Sequence, residues 1–250
     1  MTELSDLLAL AEAAAAEAGA ALLANRAGWS VIEAEEGREV KIEADKHAER
    51  LILDAISKAS PYPIISEEAG WVRAQKAGER FVWAIDPLDG SVNYLRGYPH
   101  CAVSIALLDR GEPVLGVVDC FVLAERFCGA VGQGARLNGR AISVSTISEP
   151  GQGILQTGVP SRASPESMKL FEERLSTWRK VRMIGSAATA LAYVAAGRAE
   201  AYRESGSMIW DVAAGCALVK AAGGVIRIEG EALDKPLEVA AGNGRAALPD

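Results

Sequence analysis

The segment Asp86-Pro87-Leu88-Asp89-Gly90-Ser91 sets two carboxylates three positions apart, directly after the apolar run Phe81-Val82-Trp83-Ala84-Ile85. Pro87 fixes the backbone between the acids and removes one amide donor, and Gly90 permits a sharp turn with close backbone approach. Ser91 then opens a helical turn whose free N–H groups face an anion. Carboxylates at a strand end beside such donors suit a hard cation such as Mg2+ that shares a phosphate oxygen. Three more acids can join them: Glu67 after the apolar pair Ile64-Ile65, Asp211 after Trp210 at the head of an Ala-rich stretch, and Asp45 at the start of a helical segment. Each taken singly has an ordinary use, because Asp caps helices and opens Asp-Gly turns, and adjacent acids such as Glu67-Glu68 are commonly solvated.

The elements that must position these acids are legible in outline. Leu7, Leu8, Ala11, Ala15, Ala18 and Leu22 recur at helical spacing and predict a helix over 4–25, followed by a polar, mobile loop or weak hairpin over 27–43. A second helix is expected over 44–58, stopped by Pro61 and Pro63. Strand-like runs follow at 81–85, 101–108, 114–122 and 125–130, with a hairpin turn at Asp109–Pro113 and a glycine-rich turn over 132–139. A break near Glu149-Pro150-Gly151 divides the chain into an N-terminal α+β subdomain, 1–149, and a C-terminal α/β subdomain, 150–250. The second half reads as strand 153–158, helix 164–176, strand 180–184, helix 186–196, strand 199–204, helix 211–222 and strand 224–228, with a polar tail from about Gly242. Strands mixed with helices throughout predict α/β (α+β) layering.

Composition removes several classes. The 250 residues carry 26 Lys+Arg against 33 Asp+Glu, a formal net charge of −7, which argues against a binder of nucleic-acid polymers. A phosphorylated small molecule remains open to it, because bound metal ions would supply positive charge. The four Cys, at 101, 120, 128 and 216, form no C-x-x-C pair and read as buried free thiols. No uninterrupted apolar run reaches a membrane span, and the acidic N-terminus lacks the basic region of a signal peptide, so a cytoplasmic protein with no membrane role is expected.

Together these segments resemble the inositol monophosphatase family of Mg2+-dependent, lithium-sensitive phosphatases. The resemblance rests on Glu67, the Asp86-to-Ser91 string continued by Asn93-Tyr94, Gly132 to Gly139 (GQGARLNG), Gly185 to Ala188 (GSAA), Ala201 to Glu204 (AYRE) and Trp210 to Gly215 (WDVAAG). It covers roughly 44–225. It implies a layered αβαβα sandwich, with metals between the two halves, and a phosphoric monoester hydrolase acting on a small polyol phosphate, foremost inositol 1-phosphate. By the same resemblance Glu67, Asp86 and the Leu88 carbonyl hold one Mg2+, and Asp86, Asp89 and Asp211 hold a second. Glu67 would bind a weaker third ion through water. Ser91 stands where the family has Thr and, with Asp45, would orient the attacking water. Gly90 and Ser91 N–H groups would cradle the phosphate, while Asp89, Gly185, Ser186, Ala187 and Glu204, beside Asp211, would face the alcohol. A homodimer is also implied, with the apolar strands at 101–108 and 153–158 offered as its interface.

The chemistry is consistent with physics. Hydrolysis of a phosphate monoester brings a nucleophile to an already negative group, and carboxylates alone would repel it. Two divalent ions reverse the local field, lower the pKa of a bound water and stabilise the leaving alkoxide. Relatives with the same metal core act on fructose 1,6-bisphosphate, histidinol phosphate or adenosine 3′,5′-bisphosphate, and the core does not separate these. Arg96, Arg162 and Arg203 are candidates for a second phosphate, although single surface arginines are usually solvated. An inactive metal-binding scaffold on the same fold is the alternative of another class. Upstream of Asp45 the family has a basic residue and a further acid on a closing loop; over 31–40 the register is open, with Glu39 the candidate acid.

Overall fold

The computed structural model describes residues 3–36, 39–76, 78–158 and 164–249. Helix α1 (Leu4–Trp29) leads into strands β1 (Ile32–Glu36) and β2 (Glu39–Ile42), helix α2 (Glu43–Ala59), strands β3 (Ile64–Ser66), β4 (Gly70–Arg73) and β5 (Phe81–Asp89), and the short helix α3 (Ser91–Arg96). Strands β6 (Ala102–Asp109), β7 (Glu112–Cys120), β8 (Glu125–Ala130), β9 (Gly134–Leu137) and β10 (Arg140–Ile142) follow. The remainder is β11 (Ile154–Thr157), α4 (Pro165–Thr177), β12 (Lys180–Arg182), α5 (Ala187–Ala195), β13 (Ala201–Ser207), α6 (Ile209–Ala221), β14 (Val225–Glu229) and β15 (Leu237–Gly242).

Side-chain periods dictate the layers. On β5, Trp83 and Ile85 join α1 and α2 in one core, while Val82 and Ala84 face α5 and α6 in another. This alternation is that of a strand buried on both faces. The large sheet runs β10-β9-β8-β7-β6-β5-β3-β4, antiparallel except for the parallel β3–β5 pair. The smaller sheet runs β12-β11-β13-β15-β14, with β11 parallel to both its neighbours. Tyr202, Val239 and Ala241 of that sheet share a core with α5 and α6. Helix α4 lies outermost, beside β12, with no fully buried side chain. The order is therefore α1/α2, large sheet, α5/α6, small sheet, α4, an αβαβα sandwich.

Small residues allow the central layers to close. A Cβ at Gly116 of β7 would stand 2.1 Å from the carbonyl oxygen of Ala214 in α6, so only glycine admits this backbone-to-backbone approach. The Ala-rich sequence of α6 serves the same end, with Ala213, Ala214 and Ala217 fully buried.

Several expectations need correction. Helix α1 continues past Asn25 to Trp29. By length and composition it is apolar enough to cross a membrane, although Asp6, Glu12, Glu17 and Arg26 interrupt its apolar run. Its apolar side is spent otherwise: Leu7, Leu8, Ala11, Ala14, Ala15, Ala18 and Leu22 are buried with α2 and the large sheet. Of the two forms expected before Asp45, the chain takes the hairpin, β1 paired with β2. Strand β5 runs on through both acids instead of stopping at Ile85. Strands β4, β9, β10 and β15 are not foreseen in the sequence; β9 lies within the stretch expected as a glycine-rich turn, and β15 sits inside the small sheet between β13 and β14. Nor can the runs at 101–108 and 153–158 form a dimer interface, because β6 and β11 are interior strands, each flanked by a strand on either side. All four cysteines are buried and free, as expected.

The Gly116 contact is testable by stability. Gly116→Ala should destabilise the protein by about 1–3 kcal/mol or more, the usual penalty of overpacking against unyielding neighbours, as a lowered urea midpoint; an unchanged midpoint would show that β7 and α6 can part at no cost.

Candidate active site

Two helices and a bulged strand end converge here. Strand β5 slips register against β6 between Asp86 and Asp89, and inside that bulge the Leu88 N–H donates to Asp86 Oδ1 at 2.9 Å. The irregularity re-aims side chains that a regular strand would alternate. Gly90 then takes φ 88°, and α3 begins at Ser91. Asp45 and Asp211 are each the third residue of a helix, not its cap. Each reaches back to the residue before the helix: Asp45 Oδ2 accepts from Ile42 N at 2.8 Å and Asp211 Oδ2 from Met208 N at 2.8 Å. This satisfies an N–H that no helical carbonyl meets and places negative charge at the positive helix end.

Asp45 Oδ1 receives Ser91 Oγ–H at 2.9 Å, and the same hydroxyl lies 3.0 Å from the Leu88 carbonyl. Glu67 follows β3 with its N–H on the Ile85 carbonyl at 3.1 Å. Its neighbours are fixed by α2 and β2. Glu49 Oε1 accepts from Ser66 Oγ at 2.5 Å and Ala69 N at 3.0 Å, and Glu68 pairs with Lys41 at 3.0 Å. Asp89 Oδ2 spans to the second half of the chain, accepting from Ser186 Oγ at 2.6 Å and Ala188 N at 2.7 Å at the start of α5.

Glu67, Asp86, Asp89, Glu204 and Asp211 line one cavity of about 570 Å3, together with Leu88, Gly90, Ser91, Gly185, Ser186 and Ala187. Of the residues assigned to metal, catalysis or the alcohol half, only Asp45 is not on its wall; its side chain accepts from Ser91, which is. Sequence reading missed Thr157, Gly158, Tyr202 and Ser205–Ser207 on the far wall, and Val40, Val92 and Pro236 at its margin. Tyr202 was within reach: it and Glu204 stand two apart on β13, which puts both on one face, and Tyr202 Oη donates to Glu204 Oε2. Among the described residues on the walls there is no Lys, Arg or His. Arg203 turns away to Glu238 and the Val239 carbonyl, Arg96 is exposed, and Arg162 and the Glu39 side chain lie outside the described residues.

Burial raises the proton affinity of these acids. It lifts Glu67 to about 7, with the charges of Asp45, Glu68 and Asp89 adding to the rise. Asp86 lies well above the usual carboxylate range because it is buried and then because it faces Glu67, Asp89 and Asp211. Asp211 is raised likewise, by burial and then by Glu67. Asp89 rises to about 6 by burial, opposed by hydrogen bonds from Ser186, Ala188 and Ala187. Asp45 rises to about 6, again by burial, opposed by Ile42 N–H and Ser91. Glu204 is raised by burial and partly restored by Tyr202.

The donor set fits a hard cation: all the candidate ligands are oxygens. Among the described residues no three acid, thiol or imidazole groups stand gathered as a finished ion cage. Instead the carboxyl groups of Glu67, Asp86, Asp89 and Asp211 stand near enough to raise one another's proton affinity. A divalent ion can replace protons there and hold the groups by charge.

The chain matches the model of the inositol monophosphatase family over residues 3–248. A protein from Xylella fastidiosa (strain Temecula1) called Nus factor SuhB is 42% identical over 188 residues, 74% of this chain and 67% of that protein. The Escherichia coli (strain K12) protein of the same name is 38% identical over 230 residues, 88% of this chain and 84% of that one. Among solved structures, an inositol monophosphatase from Anabaena (Nostoc) sp. PCC 7120 superposes with TM-score 0.84 at 36% identity, covering 98% of this chain and 93% of its own. With a cavity walled by buried acids, and likeness over nearly its whole length, the chain belongs to the inositol monophosphatase family and is a phosphomonoesterase.

Proposed function

We propose that the protein hydrolyses a small polyol phosphate, foremost inositol 1-phosphate, with Mg2+. The observation that carries this reading is the cavity: five carboxyl groups and no basic side chain among its described walls. Such a cavity attracts an anion only when cations enter with it. Glu67, Asp86 and the Leu88 carbonyl would hold one Mg2+, and Asp86, Asp89 and Asp211 a second, with a weaker third beside Glu67. Bound there, Mg2+ supplies charge for the phosphate oxygens and acidifies water. Li+ inhibition belongs to the same proposal.

The chain's own residues supply the rest. Ser91 Oγ–H donates a hydrogen bond to Asp45 Oδ1, so its oxygen is free to accept one from a water and aim it at phosphorus. Asp45, raised to about 6, is poised to take a proton near neutral pH. Gly90 and Ser91 N–H groups would receive the phosphate. Glu204 is oriented by Tyr202 on the wall of the same cavity, where it would accept hydrogen bonds from hydroxyls of the alcohol half together with Asp89 and the Gly185–Ala187 backbone. Arginine is absent from the described walls, which favours an alcohol without a second phosphate. The relatives' name, Nus factor, belongs to those proteins. A homodimer would require a surface other than β6 and β11.

Three outcomes are expected. Asp86→Asn and Asp211→Asn should each lower kcat/KM by about a thousandfold or more, about 4 kcal/mol. In the metal-free protein the same changes should raise the melting temperature, since each removes a buried like-charged group. Activity loss accompanied by unfolding would contradict the assignment.

The second concerns pH. Glu67 at about 7 and Asp89 at about 6 stand above their unfolded values of 4.5 and 3.8, so the folded metal-free chain binds more protons than the unfolded one between those limits. The derivative of unfolding free energy with pH is then negative, and the contribution of these groups falls as pH rises through the window. Melting of the metal-free protein should therefore be higher at about pH 5.5 than at about pH 8, and Mg2+ should raise it more at the higher pH. Equal Mg2+ effects at both would contradict this.

The third compares kcat/KM on inositol 1-phosphate, fructose 1,6-bisphosphate, histidinol phosphate and adenosine 3′,5′-bisphosphate. Inositol 1-phosphate should lead by about tenfold, or 1.4 kcal/mol; a bisphosphate in the lead would overturn the polyol reading.

A further inference from the structure

Asn93 lies on α3 and is not part of the cavity wall, yet its side chain joins the two halves of the chain beside it. Its Nδ2 donates toward the carbonyls of His100 at 2.7 Å, Ile184 at 2.7 Å and Gly185 at 3.2 Å. The amide orientation is forced, because the opposite flip would turn an oxygen on three oxygens. The backbones have closed around this group. Gly185 takes φ +72°, and a Cβ there would lie 3.1 Å from Asn93 Nδ2. A Cβ on Gly90 would lie 2.9 Å from the His100 carbonyl oxygen and 3.0 Å from that of Gly185. Substitution at either glycine would wedge the two halves apart.

The loop so held is Ile184–Ala187. Its far end is gripped by Asp89, through Ser186 Oγ and Ala188 N. Asp89 is also a proposed metal ligand, so its grip is shared with the cation. The Asn93 bonds involve no ionisable group, so their strength is independent of metal loading. We propose that Asn93 is a positioning residue for substrate selection: it fixes the Gly185–Ala187 backbone at a set distance from Gly90 and Ser91, and that distance defines the gap for the polyol ring. This rests on the reading that the loop faces the alcohol. Asn93 touches no substrate itself and acts through the loop.

The consequence is a loss of discrimination and not of hydrolysis as such. Ring hydroxyls need the loop in place, whereas the aryl group of p-nitrophenyl phosphate has no hydroxyls for it to contact. Asn93→Leu keeps the side-chain size and removes the donor; Asn93→Ala serves as the second variant should the first fold poorly. With the full chain and saturating Mg2+, kcat and KM are measured on inositol 1-phosphate and on p-nitrophenyl phosphate. The expected result is a rise in KM for inositol 1-phosphate that lowers its kcat/KM by about tenfold or more, with a several-fold smaller change on the aryl ester. Equal losses on both esters, or no loss on either, would overturn the role of Asn93. A wild-type enzyme with no preference for any polyol phosphate over the aryl ester would overturn the polyol reading and this inference with it. A wild-type preference that survives in both variants overturns the role of Asn93 alone.

Discussion

Like charges do not crowd one cavity without a partner, and this constraint organises the molecule. Burial raises Glu67, Asp86, Asp89, Asp211 and Glu204 above ordinary carboxylic acids, and mutual repulsion adds to it for the first four, with burial alone acting on Glu204. The metal-free chain answers with a raised affinity for protons, foremost at Asp86 and Asp211. A chain selected only for stability would have no use for such a cluster, since apolar groups of similar size fill a core at lower cost. The cluster is therefore a site whose stabilising partner comes from outside the chain.

Holding the acids at that disadvantage falls to backbone devices. Asp45 and Asp211 are tied to the N-termini of α2 and α6, where the helix offers N–H groups that would otherwise go unmatched. Asp86 is turned by a bulge, and Asp89 bridges to the start of α5. Helix α2 carries a second acid, Glu49, one turn beyond Asp45, whose Oε1 secures the turn that bears Glu67. The cavity is thus assembled from both sheets' surroundings, and the Gly116 approach that brings α6 against the large sheet also brings Asp211 toward Asp86.

The acids were readable from sequence not by their types, which are ordinary at turns and helix starts, but because they occur together in strings such as Asp86-to-Ser91. The far wall was less so. Thr157 and Gly158 come from strand and loop positions with no motif, and they meet Glu204 only through the pairing of β11 with β13, the strand that Ser207 ends. Strand β15 was hidden because Leu237–Gly242 mixes an exposed Glu238 with small residues, and its place between β13 and β14 is set by long-range pairing that no local pattern encodes. Helix α1 ran past its expected end because the arginine in its last turn, Arg26, is anchored on the Tyr94 carbonyl, a contact 68 residues away in the chain. Local periodicity reports on an element; the partner that extends or pairs it is read only in the folded chain.

The account's central claim is that a divalent cation takes the place of protons among these acids. Titrating Mg2+ into the metal-free protein at about pH 7, in buffers of different ionisation enthalpy, measures both binding and proton release directly. The account predicts about two ions bound per chain with a net release of protons, since the ligands must be deprotonated to bind, and a loss of both in Asp86→Asn. Binding with no proton release, or binding that persists unchanged in that variant, would contradict it.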